Sequence, residues 1–442
     1  MNATGHDHSA RSWARGWLTD SSQLLVSQIL TVIATSVAAI MIARTLEPDD
    51  WGVFSAFLGL SMALALVADF GIGTWLLREL SGLVAGGGET FARAGRLLSA
   101  GVVVNGAIAL PLVIGALAWS AFARPGADVT VALVCLLLYG ALTAIGATLE
   151  TYLRAGRRVR LVLAASLLEK GVLIVLLITV VLASAGLGAI GVAYVIAGLV
   201  RIAFDGTVIF AHETISFARP ALAELRELAV SSMPIALNTA SLNLVPRLDT
   251  LVLLILSATS AGWFAVGERA IGPALLVPAT LGASLYPFMA GHAARRVAPW
   301  KLSGGLGLVG VGLAALGIVL APFLIPLLFG EAYDDAVPVV QVMLLVVPIV
   351  YATSPLLVIA YTHGRERTLL LPILCLSLAG TVAIVAGQLA GGPTLAAAGY
   401  VARSALFLVV VGSVALVAWR EHTRTGSADD APGRPQVPAE AR

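Results

Sequence analysis

Charge is scarce in this chain. Only 12% of its 442 residues are Asp, Glu, Lys or Arg and 59% are hydrophobic, whereas a soluble globular protein carries roughly a quarter charged residues. That balance excludes a soluble domain and implies a polytopic membrane protein. Lysine is nearly absent, with only Lys170 and Lys301, so arginine supplies almost all positive charge. Cysteine is limited to Cys135 and Cys375. Both lie in apolar runs, which excludes a disulfide framework and reads them as small buried hydrophobes. No Gly-x-x-x-x-Gly-Lys-Ser/Thr occurs, so the chain has no P-loop for ATP hydrolysis. His6 and His8 sit in a polar tail, and His212, His292, His363 and His422 are scattered along membrane edges without metal-ligand spacing. There is no nucleophile–base set and no loop long enough for an external catalytic domain. No enzyme activity, cofactor, metal or nucleic-acid partner is expected.

Long apolar runs are what the chain has instead. A spanning helix needs about 20 apolar residues, and twelve such segments are expected at 22–44, 52–77, 97–120, 129–152, 160–183, 186–210, 228–256, 262–290, 302–329, 337–361, 368–389 and 395–419. Charges and prolines interrupt the seventh and eighth. Arginine placement fixes the orientation. With the N-terminus inside, only Arg44 and Arg124 fall in outer loops, and the outer "GEAYDDA" at 330–336 is acidic. Both termini are therefore expected inside, with the first apolar run acting as its own anchor.

Six helices return the chain to its starting side, so a second set of six would be a parallel repeat. "WGVFSAF" (Trp51–Phe57) and "GWFAVGE" (Gly262–Glu268) echo each other, each after a tight outer loop. The expected organisation is an interfacial segment at 1–21, where "RSWARGWL" places its arginines and tryptophans on opposite helix faces. Six-helix lobes follow at 22–210 and 228–419, joined by an inside linker at 211–227. A disordered tail is expected at 420–442.

Some charges lie at membrane depth. Lys170, Arg201, Arg247, Arg269 and Arg403 fall within spans, as do Asp69, Glu169, Asp205, Asp249 and Glu268. Such groups are costly and face one another or a hydrated cavity. Arg201 and Asp205, four apart, suit a structural pair. Glu169–Lys170 and Glu268–Arg269 are neighbours in sequence and point about 100° apart, so they need partners on other helices. Arg247, Arg269 and Arg403 are satisfied least locally. A guanidinium fork binds phosphate bidentately, so these three are the leading contacts for an anionic substrate, with Lys170 beside them. Prolines at 234, 246, 273, 278, 287, 338, 348 and 355 each remove a helical hydrogen bond and free a carbonyl.

"GLGAIG" (Gly186–Gly191) and "GLGLVG" (Gly305–Gly310) match a dinucleotide fingerprint but lack its strand–helix setting, and read as helix packing or a turn. "DFG" at Asp69–Gly71 lacks the other kinase motifs.

"IARTLEPDDWGVFSAF" (Ile42–Phe57), "ADFGIGTWLLREL" (Ala68–Leu80), "VPRLDTLVLL" with "SAGWFAVGERAIG", "LLFGEAYDDAVPVVQVM" (Leu327–Met343) and "AAAGYVARSALF" occur in this order. Together they resemble the polysaccharide-unit flippases of the multidrug/oligosaccharidyl-lipid/polysaccharide exporter superfamily, over roughly residues 20–420. The resemblance implies an all-α fold of twelve transmembrane helices in two six-helix lobes around a cationic central cavity. It implies alternating access and transfer of an undecaprenyl-pyrophosphate-linked repeat unit from the inner to the outer leaflet of a bacterial cytoplasmic membrane. Lipid-linked anionic glycan, membrane lipids and other polysaccharide-assembly membrane proteins are the implied partners. Arg44 and Arg78 match arginines of the family pattern and stand as gate contacts or interfacial anchors. Asp249 and Glu268, with Asp69, are the candidates for coupling to an ion. A drug/cation antiporter of the same superfamily is the alternative, and a membrane glycan polymerase a weaker one.

Overall fold

The computed structural model describes residues 29–86, 89–156, 158–212, 220–290 and 299–429. The interfacial segment at 1–21 lies outside them, as do residues 213–219 of the linker and 430–442 of the tail. Every regular element among the described residues is helical. The first half contains α1 (Ile29–Ala43), α2 (Pro48–Asp69), α3 (Ile72–Gly86), α4 (Glu89–Ala123), α5 (Ala127–Ala155), α6 (Val159–Leu182) and α7 (Leu187–His212). The second half contains α8 (Leu222–Arg247), α9 (Asp249–Leu256), α10 (Ala258–Ala290), α11 (Pro299–Phe329), α12 (Val337–Leu344), α13 (Val346–Thr362), α14 (Glu366–Gly391) and α15 (Pro393–Asp429), with a 3₁₀ turn at Glu331–Ala336. Nine helical segments among the described residues are long and apolar enough to cross a membrane. The chain is a multi-pass membrane protein.

Three of the expected spans are broken. The 52–77 segment divides at Phe70 and Gly71, whose φ angles of 45° and 70° are left-handed. The Asp69 carboxylate then accepts the Gly73 N–H at 3.1 Å, capping α3. The "DFG" motif is thus a helix break, and the ion-coupling candidate Asp69 is its cap. The 228–256 segment breaks at Leu248, whose N–H turns back to the Val245 carbonyl at 3.0 Å. Pro246, which has no N–H to continue the ladder, lies just before it. The 337–361 segment breaks at Leu345, three residues before Pro348. The tail expected to be disordered from 420 is helical as far as Asp429. The linker expected to end at 227 gives way to α8 at Leu222.

Two of the carbonyls freed by proline are satisfied from a neighbouring helix. Pro278 frees the Ala274 carbonyl, which accepts the Tyr351 hydroxyl at 2.9 Å. Pro322 frees the Ile318 carbonyl, which accepts Gln341 Nε2 at 3.1 Å. These prolines therefore lock α10 to α13 and α11 to α12.

Helices α2 to α7 pack mainly on one another, as do α10 to α15, while α8 and α9 touch α2 and α14. Small residues permit close approach. A Cβ on Gly191 would lie 3.0 Å from that of Cys135, and one on Gly310 would lie 2.6 Å from Pro348 Cα. Both glycine-rich motifs are packing surfaces. Cys375 is exposed, contrary to its reading as a buried hydrophobe, and Cys135 is half-buried. Cys375 lies on α14, on the same face as the exposed Leu371 and Leu378.

The end bearing residues 44–47, 257 and 330–336 is termed outer, from the arginine asymmetry. It is tightly closed. A Cβ on Gly52 would collide with the Ala258 carbonyl, and one on Gly262 with that of Pro48. The Tyr333 hydroxyl lies 3.1 and 3.0 Å from the carbonyls of Ala43 and Leu46. At the inner end, Arg96 Nε donates to Glu224 at 2.7 Å and Arg93 pairs with Glu79 at 3.3 Å. The Arg96 hydrogen bond holds the Glu224 carboxyl below its usual range.

Candidate functional site

The deep charges form two groups. In the first half, Arg201 of α7 lies at the centre. Its Nη1 donates to Glu169 of α6 at 2.9 Å and its Nη2 to Glu150 of α5. Tyr139 donates to Glu169 Oε1 at 2.7 Å, and Lys170 Nζ reaches the same oxygen at 2.8 Å. The expectation that Glu169 and Lys170 need partners on other helices is met for both, since Lys170 Nζ also donates to the Tyr139 hydroxyl of α5 at 3.3 Å. For their mutual contact it fails, because the long lysine stem folds back on its neighbour. Arg154 reaches Glu150 from the exposed inner end.

Asp205 is fully buried and neither of its oxygens accepts a hydrogen bond. Arg201 Nε approaches it only to 3.8 Å. The i,i+4 pair is thus the weakest contact of an arginine that serves acids on other helices. Glu150 was not among the expected deep acids. Its signal was its place at the end of the fourth span, four residues before Arg154.

The second group lies on α8, α9, α10, α14 and α15. Arg403 ion-pairs with Asp249 at 2.7 Å, and both are buried. Thr381 donates to the other Asp249 oxygen at 2.9 Å, and the Tyr400 ring lies 4.7 Å from the Arg403 guanidinium. Arg403 has no acid nearby in sequence because its acid comes from α9. Thr250 donates to Glu268 at 3.0 Å. A cavity of about 360 Å³ opens beside this pair, between α10, α13, α14 and α15, with Arg403, Tyr400, Thr353, Ser354, Ser377 and Ser404 as its polar lining.

Arg247 and Arg269 differ from the other deep cations. Among the described residues neither guanidinium has an acid or hydrogen-bond partner, and Arg247 is exposed although it lies mid-span. Both act electrostatically on Glu268, and Arg269 also acts on the Tyr194 hydroxyl of α7. The Arg247 carbonyl lies 2.8 Å from where a Cβ on Gly59 of α2 would be. The two arginines therefore stand where the halves meet. At a rise of about 1.5 Å per residue, Arg269 and Arg403 lie roughly 15–17 Å from the outer ends of α10 and α15, and Arg247 roughly 14 Å from the outer end of α9. By the same measure the first group lies roughly 18–35 Å from its outer ends.

The two family-pattern arginines lie elsewhere. Arg44 donates to the Leu328 carbonyl at 2.9 Å and to that of Leu327, at the C-terminus of α11. Arg78 is exposed on α3. No group of three or more metal-ligating side chains occurs among the described residues.

This broken-helix bundle, closed at one end with arginines between its halves, has the fold of membrane exporters. An inward-facing multidrug resistance MATE family transporter of the MOP superfamily is similar at TM-score 0.69 and 15% identity, over 91% of this chain and 96% of that one. An outward-facing MATE family transporter gives 0.59 at 14% identity, over 92% and 96%. The lipid II flippase MurJ, in an inward closed conformation, gives 0.62 at 12% identity, over 92% and 93%. No curated protein matches the sequence. The family model described as polysaccharide biosynthesis protein matches residues 18–291, and the chain belongs to that family.

Proposed function

We propose that this protein flips an undecaprenyl-pyrophosphate-linked oligosaccharide repeat unit from the inner to the outer leaflet of a bacterial cytoplasmic membrane. In this reading it works by alternating access of two six-helix lobes, twelve spans in all, with both termini inside. It would supply cell-surface polysaccharide assembly alongside other membrane proteins of that process. The observation that carries the reading is the pair Arg247 and Arg269, two deep guanidiniums without an acid of their own between the halves of a polysaccharide biosynthesis protein. A diphosphate supplies the missing counter-charge. Arg403 and Lys170 already hold acids, so they act on substrate only by exchanging partners. For ion coupling, Glu268 is the freer of the two leading acids, because Asp249 is neutralised by Arg403. Asp69 is occupied as a cap. Export of an organic cation is the alternative, and the buried Asp205 carboxylate, which accepts no hydrogen bond, is what favours it.

The test is leaflet exchange of a fluorescent polyprenyl-diphosphate oligosaccharide in proteoliposomes. Wild type exchanges it, while Arg247→Ala and Arg269→Ala each insert and fold normally but exchange slowly. Wild-type exchange of a lipophilic cation but not of the glycolipid would reverse the assignment.

A further inference from the structure

A second cavity, of about 400 Å³, lies between α2, α4, α5 and the α8–α9 break. Its lining is apolar, including Phe57, Leu64, Leu133 and Leu248, with the indole of Trp119 as the one side chain that carries a polar atom. Its rim carries Leu112 and Trp119, each about half exposed. A volume of this order is that of a ligand site, but apart from the Trp119 indole at the rim nothing here can orient a polar ligand. The occupant has to be a hydrocarbon chain.

Arg247 stands beside it. Leu244, Leu248 and Leu251 line the cavity. At about 100° per residue, Arg247 projects within about 60° of Leu244 on α8, and the next residue, Leu248, is itself part of the wall. On the facing helix, Gly59 abuts the Arg247 carbonyl, and the next residue, Leu60, lines the cavity. A guanidinium without an acid thus adjoins an apolar chamber. We propose that this chamber holds the isoprenoid chain of the substrate nearest its diphosphate, while Arg247 holds the diphosphate itself.

Depth selects that occupant over a bilayer phospholipid. A resident lipid keeps its phosphate at the interface, whereas Arg247 lies about 14 Å below the outer helix ends. Only a lipid whose head group is crossing the membrane brings a phosphate that deep while its chain lies alongside. The break at Leu248 places the chamber and the arginine together, since Leu248 is both the hinge residue and part of the wall. The inference rests on the flippase reading and adds a site for the tail.

The experiment uses the full chain in proteoliposomes and a polyprenyl-diphosphate oligosaccharide with a diazirine on the isoprene nearest the diphosphate. After irradiation, mass spectrometry should locate the label on Leu60, Leu64, Leu133 or Leu248. Unlabelled polyprenyl-diphosphate oligosaccharide should displace it. Filling the chamber with Ala116→Trp should abolish that labelling, and the milder Ala116→Leu should reduce it if the tryptophan variant fails to fold. A phospholipid with a diazirine in its acyl chain should not compete. Label confined to other helices while wild type still flips the glycolipid would overturn the tail site and leave the flippase reading intact. Phospholipid labelling of the chamber that the glycolipid cannot displace would make it a bilayer-lipid site, again overturning the inference. If wild type neither binds nor flips the glycolipid, both readings fall together.

Discussion

The two halves treat their deep charges differently. In the first, Glu150, Glu169 and Asp205 crowd around Arg201, with Lys170 and Arg154 at the margins. Every cation there has an acid, and the group lies toward the inner side. In the second, Arg403 and Asp249 form one closed pair, while Arg247 and Arg269 form no ion pair among the described residues and feel Glu268 only through its field. A network that satisfies itself has no need of a ligand. One with surplus guanidiniums at the meeting of the halves does. The first half thus resembles a scaffold with one weak point, Asp205, and the second fits the anion receptor that the proposed function requires.

The strongest way to break the contrast is Arg201→Ala. It removes the cation shared by three buried carboxylates, leaving Asp205 with none and Glu150 and Glu169 with only Arg154 and Lys170, and removing one partner of a buried pair costs about 3–5 kcal/mol. Thermal unfolding in detergent should fall sharply and far more than in Arg247→Ala, whose side chain holds no acid. Equal losses would mean that Arg247 is structural too. Next comes Arg403→Ala. It orphans Asp249 and should destabilise by about 3 kcal/mol. Adding Asp249→Asn should restore part of that, with an interaction energy of about 0.5–3 kcal/mol in the double-mutant cycle. Strict additivity would show that the 2.7 Å contact carries no coupling.

Much of this was legible before the fold was known. Apolar runs located the membrane helices because a bilayer demands length and continuous hydrophobicity. Depth identified Arg247, Arg269 and Arg403 because a charge in such a run is conspicuous. Pairing was hidden. Arg403 meets Asp249, and Arg201 meets Glu150 and Glu169, only because helices distant in sequence pack together. Glu150 escaped notice since the end of a span reads as an interface, where an acid is cheap. The break at Phe70 had a local sign in Gly71, but a glycine inside an apolar run more often marks close packing, as Gly191 and Gly310 show. The fates of Ala274 and Ile318 follow a simple rule, that proline frees the carbonyl four residues back. Which side chain takes that carbonyl depends on the neighbouring helix.

The smallest expected effect concerns how the halves are held at the outer end. Arg44 joins α1 to the C-terminal carbonyls of α11, so it bridges first half to second without touching either deep group. A cation at a helix C-terminus is worth about 0.3–1 kcal/mol when exposed, as Arg44 is. The Gly52–Gly262 contact and Tyr333 would still hold the outer end. Arg44→Ala should therefore leave the fold and both charge groups intact and shift only the balance between closed and open outer ends. Spin labels at positions 47 and 331, on a background with Cys135 and Cys375 replaced by serine, would report it. The long-distance population should rise modestly in Arg44→Ala, and further in Gly262→Leu, where a side chain has no room. An unchanged distance distribution in Arg44→Ala, with a changed one in Gly262→Leu, would reduce Arg44 to an interfacial anchor and leave the glycine contact as what closes the outer side.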